Sequence, residues 1–281
     1  MIRTSEIHIR DPFILTDMEN RKYYMYGTIG ETAWEGIPDG FNVYVSKDLE
    51  HWSGPFPAFR PAKDFWSDHH YWAPEVHEYE GSYYMFASFK AEGATRATQI
   101  LMAEHPLGPF QPHGVGPITP AGWECLDGTF YVNEARQPWI IFCREWLEVR
   151  DGQVWAMPLT ADLLTSAGEP ILLFAASSAS WARPVRDSDE FVTDGPFLYK
   201  DNAGYLFMLW SSAGERGYAM GRACSLDGTL EGKWAQEDEP MFASDGGHGM
   251  IFQTFDGVEL IALHAPNQHP YERPIFIPKN D

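Results

Sequence analysis

Three aspartates stand in short motifs of one build, each directly followed by proline or glycine: Arg10-Asp11-Pro12, Leu126-Asp127-Gly128 and Thr193-Asp194-Gly195-Pro196. Carboxyl groups gathered at one point have a specific use. Cleavage of a glycosidic bond takes a carboxylic acid to protonate the leaving oxygen and a carboxylate on the opposite side of the bond. A third carboxylate beside the acid raises its pKa by like-charge repulsion. Two further residues occupy comparable places, Glu75 in Trp72-Ala73-Pro74-Glu75 and His248 in Gly247-His248-Gly249. Taken singly, each carboxylate is accounted for by bonds to backbone N–H groups at a turn or strand start, most readily for Glu75. The matched set of Asp11, Asp127 and Asp194 asks for more, because acidic residues are depleted from central strands.

Residues so far apart meet only if the chain repeats. An aromatic or apolar strand recurs in 22–28, 82–88, 138–143, 204–211 and 259–264. Each is preceded by a strand-like segment starting near residues 11, 74, 127, 194 and 248, and at least four are followed by a third strand. Units of this size, built of short strands and Gly/Pro turns, point to an all-β fold, a five-bladed β-propeller forming a single catalytic domain over residues 1–281. No segment has the length and 3.6-residue periodicity of a multi-turn helix. A β-sandwich of irregular strands is the alternative. In a propeller the first strand of every blade lines the axis, so Asp11, Glu75, Asp127, Asp194 and His248 are expected to converge on one funnel.

The 281 residues carry 20 Lys+Arg against 40 Asp+Glu, a net charge of −20 that repels a phosphate backbone and excludes a general nucleic-acid surface. Hydrophobic residues at 44% and charged residues at 21% exclude disorder. Aromatics at 15% suit pleated surfaces and equally suit the apolar faces of sugars. No apolar run approaches the roughly 20 residues that span a bilayer, so no membrane partner is expected. Residues 1–10 show neither an apolar core nor a cleavage site, and the expectation is a cytoplasmic protein. Cys125, Cys143 and Cys224 fit neither a zinc ribbon nor a CxxC motif; Cys143 and Cys224 read as buried free thiols.

Five landmarks occur in order: Arg10-Asp11-Pro12-Phe13, Trp72-Ala73-Pro74-Glu75-Val76, 126–132 (LDGTFYV), 193–199 (TDGPFLY) and 246–252 (GGHGMIF). With these the chain resembles glycoside hydrolase family 43 over nearly its whole length, from Arg10 to Pro274. The resemblance implies a five-bladed propeller and inverting hydrolysis of arabinofuranosides, xylosides and related plant-wall glycans, with carbohydrate as the partner. It gives Asp11 the part of general base, Asp127 that of the carboxylate that tunes the acid and orients substrate, and Asp194 that of general acid. Here the chain departs from the commoner pattern, which has Glu before Gly-Pro. Asp is one methylene shorter, and a misplacement of about 1 Å can cost on the order of a hundredfold in rate. Either the funnel is narrower, or Glu145 supplies the proton, or the propeller binds glycans with impaired or lost hydrolysis. Glu145 otherwise reads as a loop residue paired with Arg144 or Arg150.

The resemblance also puts His248 at the centre, where some members associate it with a calcium ion or a water cluster. Calcium prefers oxygen, so waters would complete that shell. No metal or cofactor is expected to be required, and no other motif suggests one. Trp72, with Trp34 and Trp146, is expected to wall a sugar subsite, whereas Trp139, Trp155 and Trp210 lie in strand patterns and read as core. Arg273 reads either as a donor to a sugar hydroxyl, or to Asp127 or Asp194, or as a surface partner of Glu272. Retaining, invertase-like chemistry has a Glu-Cys motif, present at 124–125, but its Asn-Asp-Pro-Asn start is missing. The sugar, the linkage and exo or endo action rest on the loops at Trp34, 60–71 and 90–98.

Overall fold

The computed structural model describes residues 1–185 and 187–279, and their strands form five antiparallel sheets. The first holds β1 (Ile2–Arg3), β2 (Ile9–Asp17), β3 (Lys22–Ile29), β4 (Phe41–Ser46) and β5 (His51–Phe59). The second is β6 (His69–Tyr79), β7 (Ser82–Lys90), β8 (Ala97–Ala103) and β9 (Gln111–Pro112). The third is β10 (Cys125–Val132), β11 (Pro138–Arg144), β12 (Gln153–Pro158) and β13 (Ile171–Ala175). The fourth is β14 (Asp194–Lys200), β15 (Leu206–Gly214), β16 (Gly217–Ser225) and β17 (Trp234–Gln236), and the fifth β18 (Gly247–Gln253), β19 (Glu259–Ala265) and β20 (Arg273–Pro278). The first strands touch in the ring β2, β6, β10, β14, β18 and back to β2, which makes the five sheets the blades of a β-propeller. The one α-helical segment among the described residues is the single turn Trp146–Val149.

The second strands β3, β7, β11, β15 and β19 are buried through most of their length instead of alternating, because each blade is covered on both faces by its neighbours. That is why they read as continuous aromatic and aliphatic runs. Phe41, Phe59, Tyr71 and Phe89 pack together between the first two blades, and Trp210, Trp181 and Phe174 between the third and fourth. Burying each such side chain contributes about 1.5–3 kcal/mol. Trp139 and Trp210 lie in the core, and Trp155 is half-buried against Trp123. Cys143 is buried with Cys125, whereas Cys224 is only half-buried.

The ring closes without exchanging a strand. β1 pairs with β5 of its own sheet, so the seam between the last blade and the first is held by side chains. Thr16 Oγ1 donates to the Gln253 carbonyl (2.9 Å), the Phe255 N–H donates to the Tyr23 hydroxyl (3.0 Å), and the Tyr23 and Phe255 rings stack at 4.0 Å. At the axis end of the seam, Glu272 is fully buried and accepts from Arg10 Nη1 at 2.9 Å and His8 Nε2 at 3.2 Å.

Every first strand is broken at the same place. The pairing register with the second strand slips by a two-residue bulge at Asp11-Pro12, Ala73-Pro74, Asp127-Gly128, Gly195-Pro196 and His248-Gly249. The first residue of each bulge is left-handed, with φ of 53, 47, 54, 53 and 51°. For residues other than glycine that conformation costs of order 1–3 kcal/mol and persists only where the surroundings enforce it. Enforcement comes from the preceding blade. The bulge N–H of Ala73 donates to Thr28 Oγ1 (2.8 Å), that of Asp127 to Ser88 Oγ (2.8 Å), that of His248 to Ser211 Oγ (2.8 Å) and that of Asp11 to His264 Nδ1 (3.2 Å). The fifth, from Gly195, reaches the Asp127 carboxylate instead, at 2.9 Å.

This register corrects two of the five matched positions. Asp11, Asp127 and His248 share one slot, but its other occupants are Ala73 and Gly195. Asp194 stands one residue before its bulge, level with Arg10, Trp72, Leu126 and Gly247, and Glu75 stands two residues after Ala73. Glu75 therefore lies deeper, where it accepts from Thr129 Oγ1 at 2.6 Å and lies 3.1 Å from His77 Nε2.

Candidate active site

The bulges open onto a cavity of roughly 680 Å³ at the axis, within the usual size of a small-ligand pocket. Asp11, Asp127, Asp194 and His248 line it together, joined by Arg10 and Tyr218. At three of the five bulges the left-handed residue, Asp11, Asp127 or His248, lines this cavity with its side chain. Gly195 is needed at its own bulge because the His248 ring packs there: a Cβ would meet the His248 Cγ and Cδ2 at 2.7 Å.

The surroundings of the three aspartates differ. Asp11 Oδ2 accepts from the Thr28 hydroxyl at 2.6 Å, and its Oδ1 lies 3.2 Å from His248 Nδ1. Burial by itself would raise the Asp11 pKa, but His248, Arg10 and the Thr28 hydroxyl outweigh it and hold the carboxyl below its ordinary range. His264 works as a neutral ring. Burial, then Arg10, push its pKa down to about 3. Its Nδ1 accepts the Asp11 N–H, which leaves Nε2 to donate to Asn267 Oδ1 at 3.2 Å.

Asp194 goes the other way. Burial, then the charge of Asp127, raise its pKa to about 7. Tyr218 donates its hydroxyl to Asp194 Oδ2 at 2.9 Å, which favours the ionised form and limits the rise. Asp127, one-twentieth exposed, is raised well above the usual carboxylate range by burial and by Asp11, while the Gly195 N–H acts against that rise. Asp127 and Asp194 repel one another, so they titrate as a pair and retain one proton to higher pH than either would alone. The cavity thus combines a carboxylate held ionised with a carboxyl pair held partly protonated. That is the equipment for taking a proton on one side of a bound molecule and giving one on the other.

A second group forms the facing wall. Arg96 lies against the Trp72 ring at 3.9 Å, and His70 stacks on the same tryptophan at 4.6 Å. Trp34 meets Trp72 edge-on at 5.1 Å, and the Trp72 Nε1–H donates to the Ala33 carbonyl at 2.6 Å. Glu145 is buried and lies 3.3 Å from Arg96 Nε. Its expected partners are engaged elsewhere, Arg144 with Glu148 and Arg150 with Asp189. Burial raises the Glu145 pKa against the pull of Arg96. Trp146 lines the cavity beside it.

Arg273 is not part of this wall. Its guanidinium donates to the carbonyls of Ser5, Pro270 and Glu272, tying the chain's two ends at the seam, and it is absent from the cavity lining. The Glu272 carboxylate goes to Arg10 and His8 instead. Arg10 occupies the place looked for in Arg273: it lies beside Asp11 and over the Trp34 ring at 5.1 Å. The signal for it was present, since Arg10 directly precedes Asp11 as Asp194 directly precedes Gly195. Tyr218, His264 and Arg96 gave no such signal, because second- and third-strand residues and loops reach the axis only once the blades are assembled; His70 lies on the first strand β6 but ahead of its bulge at Ala73.

The donors around His248 do not make a protein cage for calcium. Its Nδ1 faces Asp11 and Asp127 oxygens, at 3.2 and 3.6 Å, in the manner of a donor to carboxylates. Among the described residues, the three-residue group close enough to share one ion is His8, His269 and Glu272 at the seam.

Several curated and solved proteins are similar to this chain. An endo-arabinase structure from Bacteroides thetaiotaomicron is 42% identical, covers 100% of this chain and 97% of its own, and superimposes with a TM-score of 0.93. A Lactobacillus brevis α-L-arabinofuranosidase structure, 17% identical over 100% of this chain and 95% of its own, shares the fold at a TM-score of 0.78. Among curated proteins, an extracellular exo-α-(1→5)-L-arabinofuranosidase of Cellvibrio japonicus is 22% identical over 92% of this chain and 79% of its own length. The expectation of a cytoplasmic protein does not stand, since that curated relative is extracellular and the first ten residues carry no conclusion about a leader. The model of the glycosyl hydrolases family 43 matches residues 4–279, and with that the chain belongs to the family and is a glycosidase.

Proposed function

We propose that the protein hydrolyses α-L-arabinofuranosyl linkages of plant-wall glycans with inversion, without a cofactor, as one catalytic domain. The observation that carries this reading is the opposite treatment of Asp11 and Asp194 within one cavity, the first held ionised and the second raised to about 7. Asp11 is the base. It takes a proton from a water as the water oxygen attacks the anomeric carbon. The bond to the leaving oxygen breaks, and that oxygen takes the proton of Asp194. Asp127 keeps Asp194 protonated by its charge. The base and acid carboxyls of an inverting site stand about 6.5–9.5 Å apart, room for the water. Afterwards Asp11 returns its proton, and Asp194 regains one, through solvent.

Arabinofuranosyl is favoured over xylosyl substrates because the 42% identical structure is an endo-arabinase and the curated relative acts on α-(1→5)-arabinofuranosides. Burial raises the pKa of both Glu145 and Asp194, but Glu145 is paired with Arg96 at 3.3 Å whereas Asp194 stands beside Asp127, so Asp194 is taken as the proton donor. Trp72, Trp34 and Trp146 supply apolar wall to the sugar rings, and Arg10 and His248 supply donors to its hydroxyls.

The test is a panel of arabino-oligosaccharides and aryl glycosides (α-L-arabinofuranoside, β-D-xyloside, β-D-galactoside), with proton NMR following the first anomer released. Inverted arabinose or arabino-oligosaccharide is the expected product. Retained configuration, or turnover of the xyloside alone, overturns the reading. Binding without turnover makes the propeller a glycan-binding module.

A further inference from the structure

The five blades repeat a hydrogen bond across their interfaces, and one blade breaks the pattern. The residue paired with the position before each bulge is Thr28, Ser88, Cys143, Ser211 and His264 in turn. Thr28, Ser88, Ser211 and His264 each accept the bulge N–H of the next blade. Cys143 is the exception, and Gly195 is the one bulge residue whose N–H goes to a carboxylate, Asp127 Oδ2 at 2.9 Å. A thiol is a weak acceptor, and the Cys143 thiol is fully buried, with its hydrogen-bonding partner in the Thr193 side chain.

We propose that Cys143 is a positioning residue: by leaving its slot without a strong acceptor, it delivers the Gly195 N–H to Asp127 and so keeps the shared proton on Asp194. The inference rests on the reading of Asp127 and Asp194 given above. Asp127 and Asp194 hold one proton between them, and only the form with the proton on Asp194 can protonate a leaving group. An N–H aimed at Asp127 stabilises that form, because it favours the ionised state of the carboxylate it touches. A serine at 143 recreates the arrangement of the other blades, takes the Gly195 N–H for itself and lets the proton move to Asp127.

The experiment compares Cys143→Ser with Cys143→Ala. Packing alone predicts that serine, nearly the size of cysteine, is the milder change and alanine, which leaves a cavity, the harsher. The proposal predicts the reverse order in activity. Cys143→Ser is expected to lower kcat on arabino-oligosaccharides about tenfold, the worth of one hydrogen bond to a charged group, with KM little changed. Its loss on aryl arabinofuranosides with activated leaving groups is smaller, and the alkaline limb of its pH profile moves up, because an Asp127 without its N–H raises the pair's last pKa. Cys143→Ala is expected to stay within about threefold of the unmodified enzyme. Cys143→Thr, the residue type of the first blade, repeats the test if the serine variant does not fold. Equal kcat and equal pH profiles for serine and alanine, or a larger loss with alanine, overturn the proposal. Asp127→Asn separates the two levels: if it is inactive on oligosaccharides while Cys143→Ser matches the unmodified enzyme, only this inference falls, and if it retains full activity, the reading of Asp127 falls with it.

Discussion

Tyr218→Phe isolates the one hydrogen bond that, among the described residues, a side chain gives to Asp194. The hydroxyl donates to Asp194 Oδ2 at 2.9 Å, and the tyrosine is buried and neutral, its own pKa pushed well up by burial and by Asp194. Removing the hydroxyl leaves the ring stacked on His264, whose centroid lies 5.6 Å away at an interplanar angle of 19°, so the packing survives. What is lost is a donor that favours the ionised carboxylate. A hydrogen bond to a charged group is worth about 1.5–3 kcal/mol net, and the lower end applies where water can enter an open cavity. About 1.4 kcal/mol is one pKa unit. The sign follows from the form that is stabilised: without the donor the anion is less favourable, and the Asp194 pKa rises from about 7 by about one unit.

The assay is kcat/KM on an arabino-oligosaccharide between about pH 5 and about pH 10, because its alkaline limb reports the acid of the free enzyme. The variant is expected to keep activity within about threefold at neutral pH, since a weaker acid protonates a poor leaving group less readily, and to outperform the unmodified enzyme above the original limb. An alkaline limb that stays in place or moves down refutes the reasoning, because it means that Asp194 is not the proton donor or that Tyr218 does not bind its charge.

Asp11→Asn is expected to reduce turnover on the order of a thousandfold on oligosaccharide and aryl substrate alike, with an unchanged circular dichroism spectrum, because an amide cannot take the water's proton. Asp194→Asn is expected to cost far more on oligosaccharides than on activated aryl glycosides; equal losses move the acid role to Glu145. The same variant gains stability at alkaline pH. A carboxyl raised to about 7 stabilises the fold below the ordinary carboxylate range and loses that contribution as pH climbs to 7, so asparagine should raise Tm at pH 8 by at most the equivalent of about 4 kcal/mol, less for a carboxyl titrating as one of a pair. Glu272→Ala leaves the mostly buried Arg10 without its carboxylate at the seam and is expected to cost about 3–5 kcal/mol in urea unfolding; a loss under about 1 kcal/mol rejects the seam as a closure.

The blades were legible because being covered on both faces forces the second strands to be continuously apolar, and such runs stand out at 22–28, 82–88 and 138–143. Asp11, Asp127 and His248 were legible as one slot for the same reason. The misreading of Glu75 and Asp194 came from aligning acids with acids. The repeating feature is the bulge, whose second residue is Pro12, Pro74, Gly128, Pro196 or Gly249, and aligning on that proline or glycine places all five units in register. Of the two readings open for Arg273, the structure favours the one away from the cavity, because its guanidinium is taken up by the carbonyls of Ser5, Pro270 and Glu272. The contacts of Glu145 with Arg96, and of Asp194 with Tyr218, join residues 49 and 24 positions apart, and no local pattern announces them.

A frame that repeats five times cannot by itself make an acid differ from a base, so the difference must come from the order of side chains around the axis. Asp11 faces the fifth blade, which presents His248 to its carboxylate and His264 to its N–H, and Arg10 stands next to it in the chain. Asp194 faces the third blade, which presents another carboxylate, Asp127, and an apolar Leu126. Burial raises both groups, but the cations and donors around Asp11 outweigh it, whereas the charge of Asp127 adds to it at Asp194, and the two pKa values move apart. The bulge N–H of the fourth blade, on Gly195, binds Asp127, the other member of the pair with Asp194. It is the only bulge N–H among the described residues that terminates on a titratable carboxylate, so the stitching that holds blades together also sets which member of the Asp127–Asp194 pair keeps the proton. A single atom in the neighbouring strand, sulfur in place of oxygen at residue 143, then decides where that N–H points.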